Sequence, residues 1–171
     1  ESDIKSAWQG SNTNLINLEG KTLMPGFVEP HIHFIGTSVL EGMLLDLSNF
    51  KLPYDTVDTL SAKMRAHLKT LSDGEWLIGF GVDPSRTSPF MAELNADTLD
   101  KVSTTVPIFI MNESGHFAYV NHKALEVAGV TASTPNPPGG GVYEKDAQGR
   151  LTGKLIEPPA YAAFQKKMPK P

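Results

Sequence analysis

The sequence predicts an α/β fold with parallel strand pairing that ends in a β-hairpin, and three features of its 171 residues predict it. Apolar strand-like runs alternate with helical patterns over residues 23–129, the order that builds parallel sheets. Residues 131–141 then hold three Pro and three Gly, which breaks the alternation. Behind that break, two alternating stretches flank Asp146-Ala147-Gln148-Gly149, the signature of a hairpin.

Residues 1–23 are polar and mixed, with a short alternation at Asn14-Leu15-Ile16-Asn17-Leu18. Glu19-Gly20-Lys21 reads as a tight turn, because Gly accepts positive φ at no steric cost. Residues 23–34 form an apolar strand candidate interrupted by Pro25-Gly26 and Pro30. Pro has no amide proton for a ladder, so an edge, a bulge or a strand end is expected there. Over residues 56–71, Val57, Leu60, Met64, Leu68 and Leu71 step by three and four and form one helical stripe. Asp55 or Thr56 can cap that helix, and Gly74 lies past its end. The stripe should be buried together, with Lys63 and Lys69 facing water. Residues 76–82 and 106–111 read as strands, the second one buried. Residues 121–128 read as a helix stopped by Gly129. Residues 142–145 and 151–156 are the two hairpin strands, and the Pro- and Lys-rich tail past Glu157 should fray.

Composition excludes several classes of function. A net charge of −4 with fifteen scattered Lys and Arg gives no basic face for nucleic acid or for an anionic membrane surface. The absence of cysteine removes disulfide scaffolds and thiolate metal sites. No apolar run reaches the ~18–20 residues of a membrane span. Glu1-Ser2-Asp3-Ile4-Lys5 lacks the basic-then-apolar pattern of a signal peptide, so the cytoplasm is expected rather than secretion.

His31-Ile32-His33 is the sharpest chemical feature. Residues two apart on a strand point to one side, about 6.6 Å apart along it. Two neutral imidazoles so placed can converge on one ion, with metal–nitrogen bonds of about 2.0–2.1 Å. His116 follows the strand 106–111 through Asn112-Glu113-Ser114-Gly115, at the kind of strand end where barrel enzymes build their sites. It is a candidate substrate- or metal-facing residue, against the reading of a loop histidine that bonds locally. Glu157 closes the second hairpin strand as a candidate carboxylate ligand, or as a charge in water, with Lys154 nearby in sequence. His67 and His122 read as surface groups and Asp83 as a loop cap. Met24, Met43, Met64 and Met91 read as packing groups. Gly139-Gly140-Gly141 lacks the strand–turn–helix setting of a phosphate loop.

The segment Leu23-Met24-Pro25-Gly26-Phe27-Val28-Glu29-Pro30-His31-Ile32-His33 resembles the opening barrel strand of the amidohydrolase superfamily, with Glu29 where many members carry Asp. Further stretches follow in the family's order. They are Trp76-Leu77-Ile78-Gly79-Phe80-Gly81-Val82-Asp83, Leu99-Asp100, Val106-Pro107-Ile108, Gly115-His116 and Val120-Asn121-x-x-Ala124-Leu125. Gly141-Val142-Tyr143, Asp146-x-x-Gly149-Arg150 and Thr152-Gly153-x-Leu155-x-Glu157 complete the series, which is similar to the amidohydrolase-3 branch of N-substituted formamide deformylase-like hydrolases.

The resemblance implies a partial metal-dependent hydrolase barrel, TIM-like, with an inserted β-hairpin subdomain. Residues 1–22 would end an N-terminal β-sandwich contribution. Residues 23–130 would be the first part of the barrel with its insertion, 131–160 the Pro/Gly loop and hairpin, and 161–171 a tail. A full (β/α)₈ barrel takes roughly 250 residues, so this chain would be a piece of one. The implied cofactor is a divalent metal, zinc, as one or two ions, held in part by His31 and His33, with Glu157 a further candidate. The implied chemistry is attack by activated water on a C–N bond other than a peptide bond in a small amide-like substrate, with the piece itself inactive. Apolar surface left uncovered would favour self-association. The alternative is a stand-alone α/β binding or structural module without catalysis, in which His-x-His is structural.

Overall fold

The structure, a computed structural model, describes residues 2–30, 32, 38, 42, 44–48, 57–83 and 94–169. The chain divides into two compact units, Glu1–His33 and Phe34–Pro171. In the first, a helix α1 (Ser2–Trp8) occupies part of the stretch that reads as merely polar. The turn at Glu19-Gly20 forms as expected, with φ of 53° and 80° and Lys21 N donating to the Leu18 carbonyl at 2.9 Å. Residues 23–30 do not form the expected strand. Pro25 and Pro30 withhold two donors, and Leu23, Met24, Phe27 and Val28 stand 59–93% exposed, with no buried face to order the segment. His31 and His33 lie outside the described residues.

The second unit is built on a six-stranded sheet. Its strands are β1 (Leu45–Asp46), β2 (Leu77–Val82), β3 (Ile108–Asn112), β4 (Phe117–Val120), β5 (Val142–Lys145) and β6 (Leu151–Ile156), in the order β1-β2-β3-β4-β6-β5. The first three pair in parallel, as the alternation predicts. From β4 onward the pairing is antiparallel, so the sheet is mixed. The cause is connection length. Only Glu113-Ser114-Gly115-His116 separate β3 from β4, whereas a parallel crossover needs a dozen residues or more. The hairpin forms where expected, its turn closed by Gly149 N to Asp146 O at 2.9 Å with Gly149 at φ 79°.

β3 is buried on both faces, and its side chains divide the core in two. Ile108 and Ile110 join Leu47, Leu77, Val82, Leu99 and Tyr119, together with Leu60 and Met64 of α2 (Val57–Leu68). Phe109 points the other way, into Trp76, Leu125, Tyr143, Leu155, Tyr161 and Phe164. Leu68 and Leu71 pack partly buried on the first cluster, so the α2 stripe is apolar and inward; the side chain of Val57 is not among those described. Lys69 is exposed, but Lys63 is not a solvated lysine. It is half-buried, and its Nζ donates to the Asp46 carbonyl at the end of β1. Its charged head satisfies a strand-end oxygen instead of reaching water.

Two local devices, one polar and one steric, hold the second unit together. Asn121, fully buried, caps α4 (His122–Ala128) by accepting from Ala124 N at 2.9 Å. The same oxygen accepts from Ile108 N at 2.9 Å, and its amide donates to the carbonyls of Ser103 and Val106 at 2.8 and 3.0 Å. One residue thereby ties the start of β3 to the start of a helix. Gly153, at φ +85° within β6, lets that strand approach β4 and α3 (Ala96–Asp100) closely. A Cβ there would lie 2.4 Å from the Val120 carbonyl and 2.8 Å from Ala96.

Through residue 169 the tail does not fray. A 3₁₀ turn (Pro158–Tyr161) runs into α5 (Ala162–Gln165), and Tyr161 and Phe164 are buried against Phe109 and Tyr143. The Pro-rich composition conceals two aromatics three residues apart, which is enough to dock one turn. Among the described residues, no helix is long and apolar enough to cross a membrane.

Candidate functional site

β2 and β3 end side by side, with Val82 paired to Asn112. The loop leaving β3 is shaped by its own residues. Asn112 accepts from Ser114 N at 2.8 Å through its side chain and from Gly115 N at 3.0 Å through its carbonyl. Gly115 takes a positive φ of 75°, and the next residue is His116.

Glu157 leaves β6 at the same end of the sheet, because β6 runs antiparallel to β4 with Ile156 opposite Phe117. Its amide donates to the His116 carbonyl at 2.8 Å. Its carboxylate oxygens stand 3.0 and 3.2 Å from His116 Nδ1. The structure thus joins two residues that the sequence offers separately, as a hydrogen-bonded histidine–carboxylate pair with half-exposed side chains. Glu157 holds φ 64° and ψ 148°, at the edge of a region otherwise reserved for glycine. A carboxylate only accepts, so the proton between the two groups sits on Nδ1, which in the neutral ring leaves the lone pair on Nε2.

Tyr161, which the sequence reading did not single out, completes the arrangement. Its hydroxyl donates to the Gly115 carbonyl at 2.9 Å, beside His116. Burial pushes the Tyr161 phenol up to about 12, with further pushes from the negative charge of Glu157 and from Tyr119. Tyr119 is raised as well, by burial and by Glu144 before all else, against a hydrogen bond with Asn112 that lowers it. An aromatic three to four residues beyond a strand-end carboxylate is a signal that a search for charged groups passes over.

The other candidates lie apart. Lys154 Nζ sits 3.5 Å from Glu144 and 4.9 Å over the Phe117 ring, engaged on the hairpin. His122 Nδ1 bonds Asp100 at 2.8 Å, with Asp97 at 3.9 Å. It borders a cleft of about 230 Å³ with Asn95, Asp97, Asp146, Arg150 and Thr152, where Arg150 is already paired with Asp146 at 2.8 Å. His67 is half-buried on α2, and Asp83 is half-buried just past β2.

Metal chemistry can be tested against these donors. Among the described residues, no three His, Cys, Asp or Glu groups come together to hold an ion. A histidine whose Nδ1 proton is held by a carboxylate is nonetheless the form in which imidazole commonly serves a metal through Nε2.

A sheet whose parallel strands end on a histidine–carboxylate pair marks an α/β domain with its polar chemistry at the carboxyl ends of the strands. The chain belongs to the amidohydrolase family, whose model matches residues 14–171. It is 32% identical over 158 residues to the exoenzymes regulatory protein AepA of Pectobacterium carotovorum subsp. carotovorum, covering 91% of this chain and 33% of that protein. It is 29% identical over 161 residues to the N-substituted formamide deformylase of Arthrobacter pascens, covering 92% and 28%. The chain therefore spans about a third of the length of the curated relatives it matches. In fold it resembles an uncharacterized metal-dependent hydrolase from Pyrococcus furiosus, with a TM-score of 0.50 at 21% identity over 84% of this chain and 25% of that one.

Proposed function

We propose that the whole protein carrying this chain is a metal-dependent hydrolase that cleaves C–N bonds other than peptide bonds in small amide-like molecules. The observation that carries this reading is the family match over residues 14–171, which takes in both the His31-Ile32-His33 motif and the His116–Glu157 pair. On this reading β1 to β4 belong to the first part of a barrel with its insertion, and β5 and β6 are its inserted hairpin subdomain. His31 and His33 hold a divalent metal, zinc, as one or two ions. When bound, such a metal lowers the pKa of water and polarises a carbonyl.

The chain's own residues contribute placement. Glu157 accepts from Nδ1 of His116 and keeps the ring in one tautomer and one orientation. His116 then offers Nε2 as an acceptor, toward a substrate N–H or as a donor atom to a metal. Glu157 serves this reading through His116 first, and as a direct ligand only by a change of rotamer that frees its oxygens.

The similarity to N-substituted formamide deformylase supports the choice of test substrates. The 171-residue chain and the whole protein, each supplied with zinc, would be assayed against N-formyl and N-acyl amines. Turnover by the whole protein and none by the 171 residues is expected. No turnover of any amide by the whole protein would set the reading aside. Equal turnover by the 171 residues would show that they hold a complete site.

A further inference from the structure

We infer that Tyr161 is a positioning residue for the His116–Glu157 pair, locking the His116 ring in the tautomer with a bare Nε2. The inference rests on the reading of that pair as part of the site, and its observations are geometric. Three bonds join the loop after β3 to the turn after β6. Glu157 N donates to His116 O at 2.8 Å, Nδ1 of His116 meets the carboxylate at 3.0 Å, and the Tyr161 hydroxyl donates to Gly115 O at 2.9 Å. Within the loop the Gly115–His116 peptide donates its N–H to Ser114 Oγ at 3.2 Å, and it adjoins Gly115, whose φ of 75° is the loop's most permissive point. The third bond pins that peptide from the other side.

Tyr161 is suited to the task because it is itself buried and packed against the core. Its ring is 3% exposed and lies edge-on to Phe109, with centroids 5.7 Å apart at 83°. Phe109 belongs to the most buried strand of the sheet, so the hydroxyl projects from a rigid base. The 3₁₀ turn supplies the reach: Ala160 N bonds Glu157 O at 2.9 Å, which places Tyr161 one turn beyond the carboxylate it supports. The unusual backbone of Glu157 is what starts that turn immediately after β6. The His116–Glu157 pair is thereby anchored to the core through a residue of the buried aromatic cluster.

The test is a spectroscopic reading of the ring in the full 171-residue chain labelled with ¹⁵N-histidine, above the pH at which imidazole titrates. With five histidines the spectrum is sparse enough to assign His116 by its substitution. The wild-type ring should be in the Nδ1–H form. Tyr161→Phe, which keeps the aromatic packing, should shift the tautomer ratio toward Nε2–H by a part of the worth of one neutral hydrogen bond, roughly two- to threefold. Glu157→Gln should shift it further, roughly tenfold or more, since a charged acceptor is lost. An Nε2–H ring in the wild type overturns the inference, whatever the variants do and even if Tyr161→Phe fails to fold. A folded Tyr161→Phe protein with an unchanged ratio also overturns it. Because nothing is hydrolysed in this experiment, its failure is separate from failure of the hydrolase reading.

Discussion

Nδ1 of His116 lies 3.0 Å from a carboxylate oxygen of Glu157, 41 residues further along the chain. Both side chains are half-exposed, so the pair contributes little to stability. What it costs is visible in the backbone, where Glu157 alone among the residues near it keeps a non-glycine side chain at φ 64°. Strain of this kind amounts to about 1–3 kcal/mol and persists where a side chain is needed. Glu157→Gly should therefore leave the protein as stable as the wild type or about 1 kcal/mol more so. The same substitution should lower activity or metal affinity of the whole protein by roughly 10–100-fold. Chemical denaturation set beside a kinetic assay checks both halves, and a large loss of stability without loss of activity would assign Glu157 to the fold alone.

Leu60 and Met64 are 1% exposed and pack on β2 and β3. Leu60→Ala should destabilise the chain by about 2–5 kcal/mol through lost burial and the cavity left behind. Leu68→Ala, at a partly buried site, should cost less than Leu60→Ala. Urea titration of the two variants measures the order, and equal costs would mean that α2 seats differently on the sheet.

Alkaline pH should unlock the turn that carries Tyr161. Its phenol is pushed from the usual value near 10 to about 12 by burial first, and by the charge of Glu157 second. The folded state therefore holds this proton more tightly than the unfolded one. The resulting stabilisation is full below pH 10 and is lost as pH rises through 12. Tyr119 and Tyr143 are shifted in the same direction. Thermal melts from pH 9 to 12 should fall steeply for the wild type and less steeply for Tyr161→Phe; parallel curves would contradict the assignment.

Leu23, Phe27, Val28 and Ile32 are 70–93% exposed within ten residues of sequence. Apolar side chains gathered in this way seek a cover. The 171-residue chain should self-associate at micromolar concentration, and Phe27→Ser with Val28→Ser should shift it toward monomer. Light scattering reads the outcome, and a monodisperse monomer of the unaltered chain would contradict it.

Much of the fold is written locally. The three- and four-residue steps from Leu60 to Leu71, the apolar run at Ile108 and the Gly149 turn each announce their element within a short window. The mixed sheet is less legible, because β4 is only four residues and its direction follows from the length of the preceding loop. The tail is hidden by its Pro and Lys, although Tyr161 and Phe164 are what dock it. Lys63 is concealed for another reason: a lysine at a helix flank looks solvated until a strand-end carbonyl is placed beside it. At the site, His116 and Glu157 each stand out as groups of the right chemistry. Their meeting depends on the pairing of β4 with β6, a long-range fact that no local pattern carries. Asn121 reads as an ordinary helix start, and its bonds to Ser103, Val106 and Ile108 emerge only when the core closes around it.

If the whole protein works through a metal held by His31 and His33, its metal content should report it. Elemental analysis of the purified whole protein should find a stoichiometric divalent ion. His31→Ala with His33→Ala should bring that ion to background and abolish hydrolysis of N-formyl and N-acyl amines, while circular dichroism remains that of the wild type. A folded double variant that retains both its metal and its turnover would contradict the account.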